Sequence, residues 1–306
     1  FIEKCNLPDV IDPVGGTWFV EKLTDEIAKR SWDLFIEIEK SGGMQKAIEK
    51  GFVQNKIKEK ADKRINDLAM RKDILVGTNK YPNNNEKSAK PLEIDIKGLA
   101  SERIEKAKNY DISPIDDNIL TDFPAILDLA SKMTSLQEIF NKIYIEKPNE
   151  IQQLDKLDLS EKFEKLREYS DDHHKKHGKK PDVYLANIGT VKDYKARADF
   201  SYDFFSVGGF EVISNIGTEN WEEAAKAAIE SDCKVITICS TDDKYPDFVP
   251  RFSRLIKRAK PMTYLVLAGL PKDHIDEFKA AGVDKFIHIK SNIVEALNDI
   301  IENIGS

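Results

Sequence analysis

The sequence predicts an α/β protein in which residues 181–306 form a five-stranded parallel sheet, preceded by a mostly helical belt and linker region. Three observations predict it. Five short apolar runs recur after Pro181, segments of helical length and amphipathic pattern separate them, and the chain before Pro181 is highly charged with few apolar residues per turn. Strand-length runs that alternate with helices call for parallel pairing, and runs without a polar face call for helices on both sides.

The expected strands are Val183–Ile188, Phe210–Ile213, Val235–Cys239, Thr263–Leu267 and Lys285–Ile289, and the expected helices are Ala196–Val207, Trp221–Ser231, Asp247–Ala259, Lys272–Ala281 and Asn292–Asn303. Together these make a flavodoxin-like domain. In such open sheets ligands sit beyond the carboxyl ends of the strands, which makes Gly189–Ala196 the expected ligand loop.

Towards the amino terminus, Asp12-Pro13 and Gly15-Gly16 form a turn, Thr17–Val20 reads as a short β-prone stretch, and Thr24 opens a helix to Ser41. Ile27, Leu34, Phe35 and Ile38 give that helix an apolar face, and Gly42-Gly43 stops it. A second charged helix covers Gln45–Arg71, Asp73–Gly77 has strand character, and the polar Asn79–Lys90 is a loop. Further helices are expected at 100–109, 122–132, 135–144 (with Ser135 and Glu138 as a capping box) and 160–177. Their thin apolar stripes suit a belt laid on another body. The missing initial methionine and the opening turn suggest a piece of a longer chain.

A net charge of −7 provides no general field for nucleic acid or an anionic membrane, although Lys175, Lys176, Lys179 and Lys180 form one basic cluster at a helix end. No apolar run spans a bilayer and no signal peptide is visible, so a cytoplasmic location is expected. Cys5, Cys233 and Cys239 make no CxxC pair and are odd in number, which fits a reducing compartment.

Neither GxGxxG nor GxxxxGK[ST] occurs, which removes the main signals for dinucleotide binding and P-loop hydrolysis. Gly189–Ala196 could cradle a phosphate or flavin at a helix start, giving an FMN-binding carrier as one alternative. Asp242-Asp243 lack the acidic cluster of a phosphoacceptor site, and a loop role is the simpler one. His173 and His177 have the i, i+4 spacing of helical zinc sites, but neither a Glu after the first His nor a third ligand accompanies them, so a solvated helix end is expected and no metal site.

Several segments carry a resemblance. IDPVGGTWFVEKLT at Ile11–Thr24, VGTNKYP at Val76–Pro82, and LANIGTVKDYKARADF, CSTDDKY and LAGLPKDHIDEFKAAGVDKFI further on resemble adenosylcobalamin-dependent acyl-CoA mutases, methylmalonyl-CoA mutase above all. The resemblance implies a post-barrel helical segment over 1–78, a helical linker over 79–180 and a cobalamin-binding-like domain over 181–306. In the family's catalytic chain a DxHxxG motif supplies the cobalt-ligating histidine. Here VKDYKA stands in its place, with Asp193 for the histidine and Ala196 for the glycine; the family's SxL position reads Ser240-Thr241, and its paired glycines read Ala268-Gly269. Carboxylate is a poorer cobalt partner than imidazole, and added β-carbons fill space that a cofactor tail needs.

The implied protein is a small, non-catalytic (beta) subunit of a heterodimeric methylmalonyl-CoA mutase in propionate metabolism. It would bind no cofactor itself and would support a large subunit that holds adenosylcobalamin and interconverts (R)-methylmalonyl-CoA and succinyl-CoA. No catalytic residue carries over, because the family's substrate residues lie in the barrel that precedes DPVGG. A working corrinoid-binding module, or a subunit of a related acyl-CoA mutase, is the other alternative.

Overall fold

The five apolar runs after Pro181 pair as one sheet, wholly parallel, in the order β2-β1-β3-β4-β5. The strands are β1 (Asp182–Asn187), β2 (Glu211–Ser214), β3 (Val235–Cys239), β4 (Tyr264–Ala268) and β5 (Lys285–Ile287). The computed structural model describes residues 11–84, 95–108 and 151–305 with isolated positions 4, 9, 86, 123, 124, 127 and 131, so the helix expected at 135–144, most of that expected at 122–132, and Cys5 lie outside the described residues. The chain divides into two units: Phe1–Asn55 with Lys87–Gln153, and Lys56–Glu86 with Leu154–Ser306.

Before the sheet come α1 (Trp18–Lys40), α2 (Gly43–Glu49), α3 (Phe52–Ala69), α4 (Ile96–Lys108) and α5 (Glu161–His177). Within and after it come α6 (Val191–Val207), α7 (Trp221–Glu230), α8 (Tyr245–Ala259), α9 (Ile275–Ala281) and α10 (Ile293–Ile304). Alternation along the strands sends successive side chains to opposite faces. Val183, Leu185, Val235 and Val266 join one buried cluster with Phe163 and Leu166 of α5, Phe204 and Phe205 of α6, and Leu297 and Ile300 of α10. Tyr184, Ala186, Ile236, Ile238, Leu265 and Leu267 join the other with Ala225 of α7, Phe252 and Ile256 of α8 and Phe278 of α9. The free Cys233 and Cys239 are buried, one in each cluster, as small apolar residues.

α5 is part of the sheet unit. Arg167 donates from Nη2 to the carbonyls of Gly77 (3.0 Å) and Thr78 (2.6 Å) and from Nε to that of Val207 (3.2 Å), tying a loop to the end of α6. Ser170 Oγ donates to the Gly209 carbonyl at 2.7 Å.

The structure corrects four expectations. Thr17–Val20 is not a β-stretch: only Thr17 is extended, α1 starts at Trp18, and Thr24 sits inside it with Oγ1 donating to the Val20 carbonyl at 2.9 Å, a back-bond that a helix tolerates. Gln45–Arg71 is two helices, because Gly51 takes φ +73° between α2 and α3. Asp73–Gly77 is a loop with one bridge from Val76 to Lys80, organised by buried Asn79, which accepts from the Leu75 N–H and donates to the Leu68 and Asp73 carbonyls. Gly189–Ala196 is not a loop either; only Ile188–Thr190 connects β1 to α6.

Among the described residues no helix is long and apolar enough to cross a membrane.

Candidate functional site

Strand order reverses between β1 and β3, so the crevice at the carboxyl ends of these strands is where an open sheet of this order takes a ligand. Its floor is Asn187, Cys239 and Ser240, all buried, and its rim is the start of α6 and the segment that leads from β3 into α8. Thr190 precedes α6 in extended conformation with Asp193 at the third helical position, and the Asp193 carboxylate reaches back to the Thr190 N–H at 2.7 Å. The Thr190 hydroxyl donates to the same oxygen at 2.7 Å, and Lys244 Nζ, from beyond β3, donates to it at 2.6 Å. These contacts, Lys244 first, hold the Asp193 carboxyl down at about 2. Lys244 is raised in turn, mainly by the same bond. Gly189, at φ +104°, allows the arrangement, since a β-carbon there would stand 2.8 Å from the Asp193 carboxylate oxygen.

A second ion pair crosses the same rim, from Arg197 Nη2 to Asp242 Oδ1 at 2.9 Å. Between the ends of β3 and β4 lies Tyr245, fully buried, whose hydroxyl donates to the Ala268 carbonyl at 2.7 Å and accepts from the Ser240 N–H at 3.1 Å. Burial pushes its phenol well above the ordinary range, and burial also raises the Cys239 thiol to about 12, so neither ionises near neutral pH.

The structure therefore brings the five singled-out positions to one edge. Asp193 and Ala196 are helical residues of α6; Ser240 follows β3, with its backbone N–H on Tyr245 and its buried Oγ without a partner among the described residues; Ala268 ends β4 with its carbonyl on Tyr245. A β-carbon on Gly269 would meet Asp242 Oδ1 at 2.7 Å. Lys244, Tyr245 and Arg197 join them at this edge without a sequence signal of their own. Lys244 and Tyr245 lie in the CSTDDKY segment, but nothing in its spacing says that Lys244 faces Asp193 across the crevice.

A cleft of about 740 Å³ lies instead at the amino ends of β1 and β2, lined by Tyr81, Lys180, Asp203, Phe210 and Val212 among others. Its lysines are already engaged, Lys180 with the Asn84 carbonyl and Lys179 with Asp182, and it lies at the end of the strands opposite to the switch point.

The family model for methylmalonyl-CoA mutase matches residues 1–142. Over 99% of this chain, the methylmalonyl-CoA mutase small subunit of Porphyromonas gingivalis is 28% identical, with 41% of that relative covered. The chain is similar to the methylmalonyl-CoA mutase small subunits. That of Streptomyces virginiae is 27% identical over 95% of the chain and 39% of its own length. The large subunit of P. gingivalis is also similar, at 28% identity over 89% of the chain and 42% of its own length. The chain thus spans about two fifths of the curated relatives that it matches.

Proposed function

We propose that this chain belongs to the non-catalytic small subunit of a heterodimeric methylmalonyl-CoA mutase and acts by supporting a large subunit. The large subunit would hold adenosylcobalamin and interconvert (R)-methylmalonyl-CoA and succinyl-CoA. Similarity to small subunits along nearly the whole chain supports the assignment. The observation that carries the non-catalytic part is the committed carboxylate of Asp193, which the Thr190 hydroxyl and N–H and the Lys244 ammonium hold at one oxygen.

The residues present do not fit a corrinoid at this edge. Asp193 stands where a cobalt-ligating histidine would be and is already paired, and α6 runs unbroken through Ala196. The carboxylate also occupies the helix start where a phosphate of a flavin or nucleotide tail would bind, so a working corrinoid module and an FMN carrier are both less well supported.

Two measurements test the proposal. Co-expression with the large subunit from the same source should yield a one-to-one complex on gel filtration. Titration of this chain with cobalamin should leave the visible spectrum of the ligand unshifted. Separate elution of the two chains sinks the supporting role, and saturable cobalamin binding at stoichiometric concentration sinks the non-binding one.

A further inference from the structure

The last turn of α5 carries a pair of histidines that the mutase reading does not use. His173 and His177 sit one helical turn apart, with ring centroids 4.5 Å apart and 43° between planes. His173 Nδ1 lies 2.8 Å from the Lys179 carbonyl oxygen. A carbonyl oxygen only accepts, so Nδ1 carries a proton, and in the neutral ring Nε2 is then the nitrogen with the lone pair. Such an outer contact sets tautomer and ring orientation in histidines that ligate metals. The carbonyl reaches this place because Gly178, at φ +75°, ends the helix in the left-handed conformation.

Two of the nearby lysine charges are matched locally, Lys175 by Asp172 at 2.9 Å and Lys179 by Asp182 at 2.9 Å, which lowers the repulsion a dication would meet. We propose that His173 and His177 form a two-histidine surface site for a divalent transition-metal ion of the nickel, copper or zinc type. Nε2 of His173 is one ligand and an imidazole nitrogen of His177 the other. Imidazole suits these ions, whereas calcium and magnesium require oxygen ligands. No group of three or more metal-ligating side chains occurs among the described residues, so water completes the shell and the ion exchanges freely. His174 lines the cleft at the amino ends of β1 and β2 and serves as the control.

Calorimetric titration of the full chain with nickel chloride tests the site. The expected result is one saturable Ni²⁺ site per chain, weakened by about ten-fold or more in either His173→Ala or His177→Ala and kept in His174→Ala, with no binding of Mg²⁺. Circular dichroism confirms that the exposed substitutions leave the helix intact. Absence of saturable Ni²⁺ binding, unchanged affinity in His177→Ala or His173→Ala, or an equal loss in His174→Ala overturns the proposal.

Discussion

At the start of α6 one carboxylate oxygen of Asp193 takes three contacts, from the Thr190 N–H, the Thr190 hydroxyl and the Lys244 ammonium. Its carboxyl is held at about 2, below the ordinary 3.8, so its contacts stabilise the fold fully above pH 4 and are lost as pH falls towards 2. Asp193→Asn should therefore lower the melting temperature at neutral pH, and the gap to the parent should narrow as pH drops from about 4 to about 2. Equal melting temperatures at pH 7 would count against the clamp. Restoring the ligand alone should also fail: Asp193→His with Ala196→Gly is expected to give no cobalamin affinity, because the helical path of α6 and the Arg197–Asp242 pair remain. A visible spectral shift on titration would show that those two residues are the whole obstacle. Tyr245 is the buried counterpart. Removing its hydroxyl strands the Ser240 N–H and the Ala268 carbonyl, so Tyr245→Phe should cost about 1–3 kcal/mol in urea denaturation. A loss near zero would mean that these groups find other partners.

At the scale of elements, three of the sheet helices, α6, α7 and α10, start where polar side chains cap them. Asn220 accepts from the Glu222 N–H ahead of α7, and Asn292 from the Val294 and Glu295 N–H groups ahead of α10. α6 starts five residues before the expected Ala196, because its apolar pattern begins late while its cap pair, Thr190 and Asp193, lies in the expected ligand loop. The strands needed no such help: β3, VITIC, is buried at every residue, and a continuous apolar run of that length is a strand in a covered sheet. At the other end of α5, Gly178 has open space where a β-carbon would go, so the cost of a substitution there is conformational alone. Gly178→Ala should destabilise by about 1–2 kcal/mol and Gly178→Asn by less, since Asn tolerates the left-handed region. Equal losses in thermal melts would point to a packing cause instead.

On the scale of the whole molecule, α1 buries none of its residues, and Trp18, Phe19 and Trp32 stand 91%, 75% and 62% exposed. A helix with an apolar face left in this state needs a body to lie on. On the proposed function that body is the large subunit, and hydrogen exchange of the α1 amides should slow markedly when the complex forms. Unchanged exchange would remove α1 from the interface.

The sequence by itself determined the α/β class, the five strands, the helices between them and the resemblance to mutase small subunits, because strand and helix periodicity and short motifs are local signals. Only the tertiary structure decided what Asp193 does. Its capping partner Thr190 is three residues away, but the ammonium of Lys244 comes from 51 residues along the chain and the Arg197–Asp242 pair spans 45. Contacts over such separations arise from strand order, which places β3 beside β1 and so brings the start of α6 to face the segment entering α8.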